Sequence, residues 1–387
     1  MSVLADNTSE QGGGIYNNGT LDVSDTIFAG NHGTLMGGGI FNYGTLTLTA
    51  SVFTGNSAPG GGGVHNYWGS RLTITQSTFS SNTASSGGGI DNDDAMLSIS
   101  QSTFSGNTAN YGGAIYHSYG TLTIAQSTIS RNTALESGGG IFVGYPLQVS
   151  NSIVAGNNTD IGKVGNNVIT SINNVIGDPY SAGGIVHGDN GNIVGDGSGN
   201  LLPILQILNA TLADNGGPTL THALVIGSPA INRGDNSRAT VDGQIGGIPL
   251  TTDQRGTGYP RIIGPIVDIG AYEMPGIPLV TAGSDQTAVE GQTVSIQASF
   301  SDPSVTDPHL AMVNWGDGTS KRVTVAETTL SHGGSIFGQH VYAAAGSFNV
   351  TILVTDAAGN SDQDTLTVTV AALANADGYT AAKYPLT

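Results

Sequence analysis

The sequence predicts an all-β protein: a parallel β-helix solenoid with three strands per coil of about 25 residues and a C-terminal cap, followed by an antiparallel β-sandwich. Three observations predict it. A phrase opening Gly-Gly-x-Ile or Gly-Gly-x-Val recurs at 12–15, 37–40, 61–64, 87–90, 112–115 and 138–141. An asparagine closes each repeat at Asn31, Asn56, Asn82, Asn107, Asn132 and Asn157, in steps of 25, 26, 25, 25 and 25. A fixed period in that range marks a solenoid with one supersecondary unit per repeat. After residue 278 the pattern changes to alternating strands separated by Gly- and Asp-rich turns.

Residues 1–160 hold the regular coils. Each divides into three strand-like pieces, in the third coil Gly63–Asn66, Arg71–Thr75 and Ser77–Ser80. The middle piece alternates with period two (Leu21/Val23, Leu46/Leu48, Leu72/Ile74, Leu97/Ile99, Leu122/Ile124, Leu147/Val149), which puts one face in a core and the other in water. The third piece supplies one bulky inward residue: Phe28, Phe53, Phe79, Phe104, Ile129, Val154. Glycine permits the sharp bends, and the asparagine column can pass amide hydrogen bonds from coil to coil. Leu4-Ala5-Asp6-Asn7-Thr8 reads as the tail of an earlier repeat, so the chain is expected to be an excerpt of a longer one.

Composition narrows the function classes. With 10 Lys plus Arg against 28 Asp plus Glu and a net charge of −18, cations are too few to replace the counterions of nucleic acid or an anionic membrane. Cysteine is absent, which excludes disulfides and thiolate metal sites. No apolar run is long enough to span a bilayer, and no signal peptide is visible.

The pairing of Gly-Gly-x-Ile with Phe-x-x-Asn (Phe28–Asn31, Phe53–Asn56, Phe79–Asn82, Phe104–Asn107) resembles the repeat of chlamydial-type polymorphic outer membrane proteins. The resemblance implies a surface-exposed, adhesin-type β-helix at a bacterial cell surface or outside the cell. Residues 161–276 lose the period and read as irregular last coils plus a cap. Asp214-Asn215-Gly216-Gly217-Pro218, Gly227-Ser228-Pro229-Ala230-Ile231-Asn232-Arg233-Gly234, Asp253-Gln254-Arg255-Gly256 and Val267–Glu273 resemble a choice-of-anchor Q domain. Its arginines, Arg233, Arg238, Arg255 and Arg261, are expected to form internal ion pairs with the acids around them.

Residues 279–371 form the sandwich. Trp315-Gly316-Asp317-Gly318-Thr319, His340-x-Tyr342, Gly346-x-Phe348-x-Val350 and Val354-Thr355-Asp356-x-x-Gly359 resemble a PKD domain, with Phe300-Ser301-Asp302-Pro303 and Asp307-Pro308 in support. Trp315 is expected to anchor its core. Asp302, Asp317 and Asp356 are candidate calcium ligands, because hard cations take several oxygens. The competing reading is that they accept backbone hydrogen bonds in turns. Residues 372–387 read as a linker or the start of a further cadherin-like repeat.

Catalysis finds little material. A glycosidase needs two facing carboxylates, and the one acidic cluster is Asp91, Asp93 and Asp94. A lyase would need a basic residue beside a cation, and the regular coils offer only Arg71 and Arg131, on different pieces of their repeats. Binding has more. Tyr16, Phe41, Tyr116 and Phe142 fall in one outward column with His65 and Asp91, and the next turn gathers Tyr43, Tyr67, Trp68, Tyr119 and Tyr145. Such aromatics suit a surface glycan or a protein ligand; alternatively they stack on one another and cover the coil edges. Ice binding would need a flat threonine lattice, which Ser98/Ser100, Thr123/Ala125 and Gln148/Ser150 interrupt. The expectation is a non-catalytic structural or adhesive segment, with a polysaccharide-active enzyme as the alternative.

Overall fold

The structure, a computed structural model, describes residues 1–225, 227–302, 308–328, 333–356 and 360–373. The start of a further repeat expected in the tail therefore falls, from 374 on, outside the described residues, as do Pro303, Asp307 and Gly359. The chain divides after Met274 into two units. No helix among the described residues is long and apolar enough to cross a membrane.

The first unit is a parallel β-helix. In its third coil the chain runs through Val64–Tyr67, Arg71–Thr75, Thr78–Ser80 and Thr83–Ser86, and successive coils stack these strands into four parallel sheets. They are called the first to fourth sheets below, in that order. The fourth strand goes beyond the three-strand reading. One register column of it carries Ala58, Ala84, Ala109 and Ala134, so it shows no bulky alternation.

The register stacks equals on equals. Leu46, Leu72, Leu97 and Leu122 pair in one column, and all are buried. Phe28, Phe53, Phe79 and Phe104 form the expected vertical file, fully buried, with ring centroids 4.5, 4.6 and 4.7 Å apart and planes nearly parallel. The spacing matches the strand separation of a sheet, and each ring contributes roughly 1.5–3 kcal/mol by burial. The third glycine of each phrase leaves room for the ring. A Cβ on Gly63 would lie 3.0 Å from the Phe79 ring and 2.6 Å from the Gly89 carbonyl oxygen. In the fifth coil, where Ile129 replaces phenylalanine, Ala114 occupies that glycine position.

The asparagine column is a directional ladder. Asn82 donates its backbone N–H and side-chain amide to Asn107 Oδ1 at 3.0 and 2.9 Å, and the amide also reaches the Phe53 carbonyl at 2.9 Å. The pattern runs from Asn7 to Asn157, which donates to Asp160 Oδ1. An acceptor-only carboxylate is the right end for such a run. Burial pushes Asp160 up to about 7. A second ladder, Asn17–Asn42–Asn66–Asn92, ends on His117 Nδ1 at 3.0 Å. Its signal in the sequence is an Asn two residues after the Ile or Val of the opening phrase in the first four coils.

Residues 209–273 were expected to close the end of the solenoid. They lie instead along its flank, over the outer face of the third sheet. Gln254 donates to Thr78 Oγ1 at 3.0 Å and accepts from Thr103 Oγ1 at 2.6 Å. Ser105 Oγ lies 2.9 Å from His222 Nε2, and Thr128 Oγ1 accepts from the Ala271 N–H at 3.1 Å. Below them, Ile153, Ala155 and Val175 pack with Ile207, Leu208, Leu224, Ile269 and Tyr272. A row of corner amides holds the edge: Gln76 bonds Thr252 Oγ1, Gln101 the Thr252 carbonyl, Gln126 the Arg238 carbonyl and Asn151 the Asp235 carbonyl. The physical need is lateral, because outward Ile153 and Val175 would otherwise face water. Past the last complete coil, Ala182, Ile185 and Val194 continue the core.

Inside this cover three of the four arginines pair as expected. Arg255 meets Asp253 at 2.6 Å and lies between the rings of Tyr259 and Tyr272. Arg261 meets Glu273 at 3.4 Å and Arg238 meets Asp235 at 3.5 Å. Arg233 forms no ion pair among the described residues.

The second unit is one curled sheet that forms both layers of a sandwich. Ser320–Thr328 belongs to both: its first half pairs with Leu310–Asn314, its second with Gly333–Val341. Trp315 is buried with Val313, Ile336 and Val350, and its carbonyl accepts from Tyr342 Oη at 2.9 Å. It is a core anchor.

Candidate binding face

The first sheet and the turn that follows it carry the outward aromatics. Strand alternation points Tyr16, Phe41, His65, Asp91, Tyr116 and Phe142 out of the core in one register column. Tyr16 and Phe41 stack at 5.3 Å, Phe41 and His65 at 5.4 Å, Tyr116 and Phe142 at 5.0 Å. Outward does not mean exposed. Phe41 and Phe142 are buried, so neither offers a free face to a ligand. The fourth sheet covers part of the column: Tyr111 lies edge-on to Phe142, and a Cβ on Gly60 would lie 3.0 Å from Asp91 Oδ2 and 3.2 Å from His65 Nδ1, whereas Tyr16 is exposed.

His65 Nδ1 stands 3.4 Å from Asp91 Oδ2 in this covered column. Burial pushes the Asp91 carboxyl up, with His65 opposing the shift. Asp93 accepts from Ser118 Oγ at 2.8 Å, and Asp94 is exposed in a left-handed turn at φ 49°. The three acids thus occupy three different environments.

The turn between the first and second sheets is open. Tyr43, Trp68, Tyr119 and Tyr145 are exposed and Tyr67 is half-buried. They form two groups. Tyr43 lies 6.0 Å from Tyr67, next to Trp68, and Tyr119 lies 4.8 Å from Tyr145. Beside the first group is a cleft of about 450 Å³ lined by Tyr43, Thr45, Trp68, Gly69, Arg71 and Met96. The sequence drew attention to its aromatics but not to Arg71 as their neighbour. The paired register of the two strands supplies that, and a single coil read alone does not.

The acids considered for calcium do not converge. Asp302 lies 2.9 Å from His309 Nε2, Asp317 accepts from Thr319 and lies 2.6 Å from His340 Nε2, and Asp356 accepts from Asn360. No group of three His, Asp or Glu among the described residues is placed to hold a metal ion.

Comparison with known proteins matches the family model of a PKD domain over residues 276–370 and that of a Chlamydia polymorphic membrane protein repeat over 101–118. Two of the three resemblances read from the motifs are therefore shown, both of the surface-protein type, and the choice-of-anchor Q resemblance is not among them. Among solved structures, the PKD domain of an M14-like peptidase from a Thermoplasmatales archaeon is 22% identical, over 24% of this chain and 92% of that one, at a TM-score of 0.19. An immunoglobulin complex of titin and obscurin-like 1 is 14% identical, over 26% and 98%, at a TM-score of 0.18. No curated protein matches the chain.

Proposed function

We propose that the chain is an adhesive segment of a large bacterial cell-surface or secreted protein, and that it performs no turnover. The observation that carries this reading is the open turn row, above all Trp68, which is 61% exposed on a rigid repeat whose other flank is sealed. A large aromatic left in water on a rigid element supplies binding area at little entropic cost. The PKD domain serves as a spacer, and the resemblance of 209–273 to a choice-of-anchor Q domain supports a surface setting. Catalysis is disfavoured because Asp91 is buried beside His65 while Asp93 and Asp94 serve their own turns. The ligand is a surface glycan or a protein. A glycan array and a pull-down test this: capture should vanish in the Trp68→Ala/Tyr67→Ala double variant with its melting unchanged. Undiminished capture would refute the proposal.

A further inference from the structure

The cleft beside Trp68 has features that point to one ligand chemistry. In the strand register Asn42 and Thr45 pair with Asn66 and Arg71, so three residue steps in the second coil become five in the third. The added residues are Trp68 and Gly69. The same turn takes four steps in the next two coils, Asn92 to Met96 and His117 to Thr121, so the indole stands on its longest version, with its backbone at φ 23°. Positive φ is a strained choice for a bulky residue, and such strain concentrates at functional positions. Asp94, next in register one coil on, takes the same left-handed conformation at φ 49° with a small polar side chain, whereas here the position carries a bulky, exposed indole.

Arg71 lies at the other side of the same cleft. Unlike Arg238, Arg255 and Arg261, it has no carboxylate partner among the described residues; the contact its guanidinium makes is with Met96 Sδ, at 3.5 Å. In a chain with 28 acidic residues and 10 basic ones, such a cation is available to an outside anion. Guanidinium matches a carboxylate in two parallel hydrogen bonds, and the flat aromatics suit the apolar face of a pyranose.

Resting on the adhesive reading, we infer that this cleft is a subsite for an acidic sugar residue within an otherwise neutral glycan. The pyranose stacks on Trp68 and Tyr43, its carboxylate meets Arg71, and a ring hydroxyl reaches exposed Thr45. A long polyanion is the wrong class, because the net charge of −18 repels it.

The test uses sialyllactose and a glucuronic-acid-bearing xylotetraose, each beside its carboxyl methyl ester, titrated calorimetrically against the full chain. Indole fluorescence gives a second readout, since the other tryptophan, Trp315, is buried. At least one free acid should bind about tenfold or more tighter than its ester, a difference of about 1.4 kcal/mol. Arg71→Gln should bring the acid down to the level of the ester, and Trp68→Ala should abolish both, with melting unchanged in each variant. Equal binding of acid and ester by the unaltered chain, retained preference in Arg71→Gln, or no saturation by either acid would overturn the inference. Ester binding that depends on Trp68 but not on charge would overturn it and leave the adhesive reading standing. Array and pull-down capture independent of Trp68 would sink both.

Discussion

Two flanks of the same solenoid meet different fates. On the third sheet the outward column Thr78, Thr103 and Thr128 is spent on hydrogen bonds to the covering segment, and Ile153 and Val175 lie beneath it. At the turn between the first and second sheets, Tyr43, Trp68, Tyr119 and Tyr145 remain in water. The repeat is the same on both sides. One flank had apolar residues that demanded cover, and the chain supplied it; the other carries aromatics that the chain leaves open. Exposure on a scaffold able to seal its own flank is therefore informative in a way that an isolated surface tyrosine is not.

Substitutions sharpen that contrast, beginning in the core both flanks share. Phe79→Asp places a charge in the ring file and should abolish cooperative melting of the solenoid, whereas Thr73→Asp on the outer face should change stability by less than about 0.5 kcal/mol. Equal effects would mean that the inward and outward phases are reversed. Next come the ion pairs of the covered flank. Arg255→Ala leaves Asp253 buried without its partner and should cost about 3–5 kcal/mol in denaturant unfolding. An unchanged midpoint would show that the cover adds nothing to stability.

The second ladder predicts a pH dependence. His117 is buried, and burial lowers its pKa from 6.5 to about 4. The unfolded chain takes the proton near pH 6.5 and the folded one only near 4. Stability is thus fully present above 6.5 and falls by about 3 kcal/mol as the pH drops to 4. His117→Asn, which keeps an amide at the ladder's end, should flatten that part of the profile. The smallest effect belongs to the open flank: Trp68→Ala should move stability by no more than about 0.5 kcal/mol.

Much of the solenoid was legible because its signals are local and periodic. Phe28 to Phe104 and Asn31 to Asn157 repeat at intervals that a single sequence displays, and Leu72/Ile74 fix the inward phase without a structure. The fourth strand was hidden because Ala58 and Ala109 look like loop residues. The lateral cover was hidden for a different reason. Gln76 and Gln101 grip Thr252 across more than 150 positions of sequence, and no period links them. Of the aromatic candidates, burial removed Phe41 and Phe142, since a period-two reading tells outward from inward but not outward from exposed. Arg71 joined the remaining group only through pairing between coils.

The most direct measurement compares Trp68→Ala and Gln254→Ala side by side for ligand capture and thermal midpoint. The account predicts that Trp68→Ala loses capture at an unchanged midpoint, while Gln254→Ala lowers the midpoint and keeps capture below it. Capture that follows the midpoint in both variants, regardless of Trp68, would contradict it.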